Sequence, residues 1–358
     1  MRFPDSASAR EIDLFDEVID VRSPAEFAED HVPSAANHPV LDDRERAEIG
    51  TIYKQVSPFE SKKRGAALVS RNIARHLEES FATRDKGWRP LVYCWRGGKR
   101  SGAMTHVLRE VGWQAAQLDG GYRAYRREVV AQLGELPRQF RYVVLCGETG
   151  SAKSRLLEAA SAAGAQVLDL ERIAAHRGSV LGNLPDEPQP SQKMFETRLW
   201  DRLRKLDPAA PVLVEAESKK IGQLQVPDAL LETMRAGRCV RVEAPIAARV
   251  KFLVAEYRHF LADPARLKVQ LDCLVGLHGR KVIAGWQAQA DRGDWEALVE
   301  DLLVSHYDPA YHRSTQKNYA ALAAGEVLRP RDLSADSIAR LARELRALAE
   351  GQPAPAPA

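Results

Sequence analysis

Apolar residues fall into two arrangements along the chain. Short unbroken runs, Val18-Ile19-Asp20-Val21 and Leu91-Val92-Tyr93-Cys94, predict buried strands. Around them, over 66–81 and 101–111, the apolar positions recur at helical spacing. Strands alternating with helices predict an α/β domain with a parallel sheet. The pattern resets near residue 130, where 132–137 reads as a linker. Tyr142-Val143-Val144-Leu145 then opens a second α/β unit, whose further strands are expected at 166–169, 212–215 and 239–242. Beyond about residue 246 the pattern is helical. In 334–350, Ile338, Leu341, Leu345 and Leu348 share one helix face and Arg340, Arg343 and Arg346 decorate the others, as a solvated face or an RNA contact. The expected organisation is a first domain over 1–131, a second with a helical extension over 138–330, a terminal helix over 331–350, and a Pro-Ala tail over 351–358 that composition marks as disordered. No internal repeat is present.

Composition narrows the class. The chain has 358 residues, 45% hydrophobic and 28% charged, which suits a two-domain globular protein. No apolar run is long enough to cross a membrane, and residues 1–15 lack a signal-peptide core, so a cytoplasmic location is expected. The net charge of +3 is too small by itself to mark a nucleic-acid surface. Four cysteines, Cys94, Cys146, Cys239 and Cys273, lie far apart with no CxxC pair, which argues against a zinc site or a disulfide framework. No bound metal is expected from this pattern. One reactive thiol and three buried small apolar residues are expected instead.

The segment Cys94-Trp95-Arg96-Gly97-Gly98-Lys99-Arg100-Ser101 carries the first candidate chemistry. A buried strand delivers Cys94 to its carboxyl end, a Gly-rich cationic loop follows, and a helix starts near Ser101. Loop amides and a helix N-terminus favour an anion at one point. Arg96, Lys99 and Arg100 add full charges, and Gly97 and Gly98 let the backbone curl round the sulfur. Lowering a thiol from about 8.5 to about 6.5 takes roughly 3 kcal/mol, within reach of such a setting.

The second is Gly147-Glu148-Thr149-Gly150-Ser151-Ala152-Lys153-Ser154, which follows strand 142–145 and has the strand–loop–helix order of a phosphate-binding P-loop. Gly147, Lys153 and Ser154 fit the motif. Thr149, Gly150 and Ser151 complete the expected phosphate cradle, with Lys153 as a point charge and Ser154 compatible with a magnesium ion. Ala152 stands where the motif has its second glycine, and a left-handed backbone there costs about 1 kcal/mol or more. Glu215 or Glu217, at the end of the strand at 212–215, is the candidate acid.

The cysteine loop resembles the active-site loop of the rhodanese family. The segments from Asp20 through Arg22 and Glu26 to Phe27, and from Glu29 through His31 to Asn37, resemble that family's upstream signatures, and Asp119-Gly120-Gly121-Tyr122 its closing segment. The resemblance implies architectural roles for Asp20, Arg22 and His31. The fusion of such a module to a P-loop module resembles the tRNA 2-selenouridine synthase family. His176-Arg177-Gly178-Ser179 with Gln189 to Glu196, Glu215 to Gly222, and His306-Tyr307-Asp308-Pro309-Ala310-Tyr311 look like its further signatures. The match spans roughly 15–320.

That resemblance implies two linked reactions at the wobble position (34) of tRNA. A geranyl group from geranyl diphosphate is placed on the sulfur of 2-thiouridine, and selenophosphate then supplies selenium as the S-geranyl group leaves. It implies Cys94 as nucleophile or selenium carrier, through a perselenide, with Arg96, Lys99, Arg100 and the loop amides stabilising anions. The P-loop would hold the diphosphate. Arg177, Lys219 and Lys220 would line an anionic cleft for pyrophosphate or RNA, and Tyr307 and Tyr311 would stack on an unpaired anticodon-loop base. No tightly bound cofactor is implied; selenophosphate and geranyl diphosphate are co-substrates, and an enzyme that supplies selenophosphate is a natural partner. Two alternatives stand beside this reading: a sulfurtransferase passing persulfide sulfur to a protein or small acceptor, and a P-loop kinase or ATPase with a regulatory rhodanese domain.

Overall fold

A computed structural model describes residues 4–179, 182–184 and 186–351; the Pro-Ala tail after Gly351 lies outside the described residues. The chain divides into two compact units. One comprises residues 1–132 and 191–201, the other 133–190 and 202–358.

The first unit is built on a parallel sheet of β1 (Ser6–Ala7), β2 (Glu17–Asp20), β3 (Ala36–Asn37), β4 (Pro90–Tyr93) and β5 (Ala116–Leu118), in the order β1-β5-β4-β2-β3. All four residues of β4 are buried, as a central parallel strand covered on both faces requires. The helix Pro58–Glu79 starts earlier than the periodicity predicts, because Ser57 accepts hydrogen bonds from the amides of Phe59 and Glu60 and Pro58 fits the first turn. The core packs Ile19, Val21, Ile73, Phe81, Met104 and Leu108.

The linker expected over 132–137 does fall where the chain passes from one unit to the other, between 132 and 133, but it is helical and not a loop. The helix Gly121–Glu135 runs through it and passes into a 3-10 turn at Leu136–Gln139. Val129, Leu133 and Pro137, spaced by four, are buried, and that apolar stripe outweighs the loop signals of Gly134 and Pro137.

Residues 191–201 form most of the helix Gln192–Leu203 and belong to the first unit. Arg126 pairs with Glu196, Lys193 with Glu29 at 2.6 Å, and the Trp200 indole N–H donates to Gln132 at 2.6 Å. The signature around Gln192, Phe195 and Glu196 therefore serves packing in that unit.

The second unit has a parallel sheet of β6 (Tyr142–Gly147), β7 (Gln166–Leu168), β8 (Val212–Glu215), β11 (Arg238–Val242) and β12 (Glu326–Leu328), with a small hairpin of β9 (Lys220–Ile221) and β10 (Leu224–Gln225) between β8 and β11 in the chain. The order is β12-β11-β6-β8-β7, which puts β6 at the centre. The terminal helix Ala335–Ala349 lays Leu341, Ala342 and Leu345 on Leu156, Leu157 and Ala160. Its Arg346 donates to the carbonyl of Ala163 and pairs with Glu350 at 2.8 Å, so it acts as a strut of this unit. Helices from Ile246–Glu256 to Asp308–Asn318 form a further cluster around Phe260, Leu267, Trp286 and Leu298. Cys146 and Cys239 are buried on neighbouring strands, but Cys273 is exposed, contrary to expectation. Among the described residues, no helix is long and apolar enough to cross a membrane.

Candidate active sites

In the first unit, β4 ends in Tyr93 and hands Cys94 to a loop that curls back on its sulfur. Cys94 Sγ, 4% exposed, accepts hydrogen bonds from the Gly98 amide at 3.3 Å and the Ser101 hydroxyl at 3.1 Å. Gln117 donates to that hydroxyl at 2.8 Å and so fixes its oxygen. Burial works to raise the thiol's pKa, but the hydrogen bonds from Ser101 and Gly98 and the nearby Arg100 charge outweigh it, and the thiol sits below its usual value. The loop needs its glycines. Gly97 has φ +63°, and Gly121 (φ +58°) lies so close that an added Cβ would stand 2.2 Å from the Cys94 carbonyl oxygen.

The upstream signatures buttress this loop. Arg22, 1% exposed, pairs with Asp20 at 2.6 Å, donates to the Asp30 carbonyl at 2.7 Å and lies 4.0 Å from the Tyr122 ring centre. Tyr122 donates in turn to Asp30 at 2.7 Å. His31 bonds the Phe27 carbonyl and stacks on the Phe27 ring. Of the three loop cations, Arg96 and Lys99 are exposed, whereas Arg100 is tied to Glu26 at 2.9 Å. Arg100 therefore acts on the sulfur at a distance and is already half-neutralised.

In the second unit, β6 delivers the P-loop. Ala152 has φ 59° and ψ 29°, so this alanine adopts the left-handed conformation that the motif normally gives to glycine. Gly150 (φ +83°) packs where a Cβ would meet Leu253 at 2.8 Å. Lys153 Nζ donates to the Gly147 carbonyl at 2.7 Å, folded over the loop it would leave to meet a phosphate. The loop borders a cavity of about 1210 Å³ that also meets Arg177, Arg202, Glu171, Glu215 and Tyr319.

Two partners of this loop escape sequence reasoning. Arg249, 2% exposed, donates to the Thr149 carbonyl at 2.9 Å and pairs with Glu148 at 2.5 Å and Asp308 at 2.6 Å. Nothing in a helical run around residue 249 signals a buried arginine. Glu171 lies one helical turn from the end of β7, accepts from Ser154 at 3.0 Å, and joins Glu215 and Glu217 so that one oxygen of each lies within 4.8 Å of the others. Burial raises all three carboxyls; repulsion from Glu171 adds to it at Glu215 and at Glu217, which reaches about 8, and repulsion from Asp169 adds to it at Glu171. One oxygen of Glu215 is buried with no hydrogen-bond partner. Instead of one strand-end acid, the structure assembles three carboxyls, a set that can hold a metal ion beside Ser154, the residue expected to be compatible with magnesium.

Other expected contacts go elsewhere. Lys219 pairs with Asp228 at 2.9 Å and Lys220 lies exposed on the hairpin, so the cavity ends at Ser218 on this stretch. Arg177 does reach the cavity, over the Tyr257 ring and 3.6 Å from Glu256. Tyr311 accepts from the Gly147 amide at 2.5 Å, which ties its hydroxyl to the P-loop, and it lines the cavity. Tyr307 packs beside the helical cluster of Phe260 and Trp286.

Together the two units define a rhodanese-like domain carrying a polarised cysteine, followed by a P-loop domain with a helical extension. Comparison agrees: residues 5–128 match the rhodanese-like domain family and residues 140–270 the family described as tRNA 2-selenouridine synthase AAA domain. Curated relatives carry the same name. The chain is 36% identical to tRNA 2-selenouridine synthase of Nitrosomonas europaea over 67% of this chain and 63% of that one. It is 36% identical to the protein of that name from a Sulfurovum species over 71% and 70%, and 31% identical to that of Shewanella halifaxensis over 84% and 89%. The chain belongs to the tRNA 2-selenouridine synthase family.

Proposed function

We propose that this protein replaces the sulfur of 2-thiouridine at the wobble position (34) of tRNA with selenium, in two steps. In the first, the thiocarbonyl sulfur attacks the first carbon of geranyl diphosphate; a C–S bond forms, the C–O bond breaks, and pyrophosphate leaves. In the second, selenium from selenophosphate bonds to C2 of the base, the C2–S bond breaks, geranylthiol leaves, and water takes the phosphoryl group as phosphate. The division follows the chemistry of the two loops. The P-loop of Gly147, Thr149, Gly150, Ser151, Lys153 and Ser154 suits the diphosphate and stabilises pyrophosphate as it leaves. Cys94 suits the second step as nucleophile: its thiolate bonds to C2 as geranylthiol leaves, and selenium then displaces the thiolate. The observation that carries the reading is the Cys94 sulfur held by the Gly98 amide and the Ser101 hydroxyl, in a chain that also presents Lys153 on a P-loop.

The residues around the P-loop also fit a magnesium ion: hard oxygen donors, a hydroxyl beside them, and an orphaned Glu215 oxygen. Ser154, Glu171 and Glu215 would hold it, and it would neutralise diphosphate charge. Incubation with thiolated tRNA, geranyl diphosphate and selenophosphate, followed by nucleoside mass analysis, tests the proposal. Geranylated and selenated uridine are expected. Neither product, with thiosulfate sulfurtransfer intact, would leave a sulfurtransferase instead.

A further inference from the structure

The phosphate cavity opens to one side on a second, different cavity. The two share Thr149, Ser179, Leu253 and Tyr257. Beyond that shared mouth the chemistry changes. The walls of the second cavity include Phe260, Leu267, Trp295, Leu298, Leu302 and Tyr307, and no acidic or basic side chain lines it. The phosphate cavity, by contrast, is lined by charges of both signs, with Lys153, Arg177 and Arg202 beside Glu171, Glu215 and Glu217. A P-loop chamber, with its loop amides, Lys153 and a carboxyl set that can hold a cation, joined to an apolar slot is complementary to a ligand with a polyanionic head and a hydrocarbon tail. A nucleotide would present polar base edges to a wall with few partners for them.

The local backbone supports a built site. The chain forms a π-helical turn over Leu303–Tyr307, which supplies Leu303 and Tyr307 to the slot. Such turns are rare and occur frequently at functional sites. The opposite wall comes from the helix Ile246–Glu256 and the residues after it, and Leu253 of that helix also packs on Gly150 of the P-loop. The tail site and the head site are thus joined through one side chain.

We infer that this slot is the prenyl-tail site of the diphosphate substrate, a role that rests on the two-step reading above. The slot is narrow, about 70 Å³, so its length limit is set by how far the leucine and tryptophan walls yield. Trp295 and Leu261, both half-buried, act as specificity determinants for chain length.

The test is equilibrium binding of the full-length protein to geranyl diphosphate, farnesyl diphosphate and inorganic pyrophosphate, for the wild type and for Val299→Trp, Leu261→Trp and Trp295→Ala. The wild type should bind geranyl diphosphate at least tenfold more tightly than pyrophosphate. Val299→Trp and Leu261→Trp, which fill the slot from opposite walls, should each erase that advantage and leave pyrophosphate binding unchanged, the latter showing that the P-loop is still folded. Trp295→Ala should improve farnesyl diphosphate relative to geranyl diphosphate severalfold. A wild type that binds geranyl diphosphate no better than pyrophosphate would overturn the two-step reading and the slot with it. A wild type that prefers geranyl diphosphate, with both filling variants keeping pyrophosphate binding and the full preference, would overturn the slot alone.

Discussion

At the scale of single residues, Cys94 and Lys153 share a design in which a reactive side chain is held by atoms of its own loop. The Ser101 hydroxyl and the Gly98 amide stabilise the Cys94 thiolate against the cost of burial. A folded-state pKa below that of a free thiol means that the thiolate persists at lower pH, and that alkylation of Cys94 by iodoacetamide falls off only as pH drops through the lowered value. Ser101→Ala should move that midpoint upward by about one pH unit, the worth of one charge-assisted hydrogen bond. An unchanged midpoint would mean that the hydroxyl bonds the Gly98 carbonyl, its other acceptor at 3.2 Å. Lys153→Ala should lower geranylation by roughly a hundredfold, the usual effect of removing one preorganised charge from a departing anion. Single-turnover assays with thiolated tRNA would show it.

At the scale of elements, the sites depend on positions where backbone meets backbone. Gly121 leaves room for the Cys94 carbonyl, so Gly121→Ala should displace the loop and destabilise the first unit by about 1–3 kcal/mol, read by denaturant unfolding. Arg22→Ala leaves Asp20 charged and buried, and should cost about 3–5 kcal/mol in the same assay. These elements also show what a sequence can and cannot disclose. The runs at 91–94 and 142–145 were legible because a central parallel strand is apolar on both faces. The two- and three-residue strands β1, β3 and β12 carry too few side chains to form a pattern, and only their pairing defines them. Residues 132–137 misled because Gly134 and Pro137 read as loop, while the burial of Val129 and Leu133 depends on tertiary packing. In the sites, Cys94, Lys153 and Ser154 announced themselves through motifs. Arg249, Glu171 and Gln117 did not, because each acts across more than ten residues of intervening chain through a fold that no local spacing encodes.

At the scale of the whole molecule, the proposed function divides a sequential reaction between two anion-handling loops, one in each unit. Magnesium should raise the melting temperature of the second unit by relieving repulsion among Glu171, Glu215 and Glu217, and Glu215→Gln should diminish that gain. The division of labour itself is tested most directly by Cys94→Ala, supplied with thiolated tRNA, geranyl diphosphate and selenophosphate and analysed by nucleoside mass. The account predicts that S-geranyl-2-thiouridine accumulates at the wild-type rate and no 2-selenouridine forms. Loss of both products from a folded Cys94→Ala protein, or selenation at the wild-type rate, would contradict it.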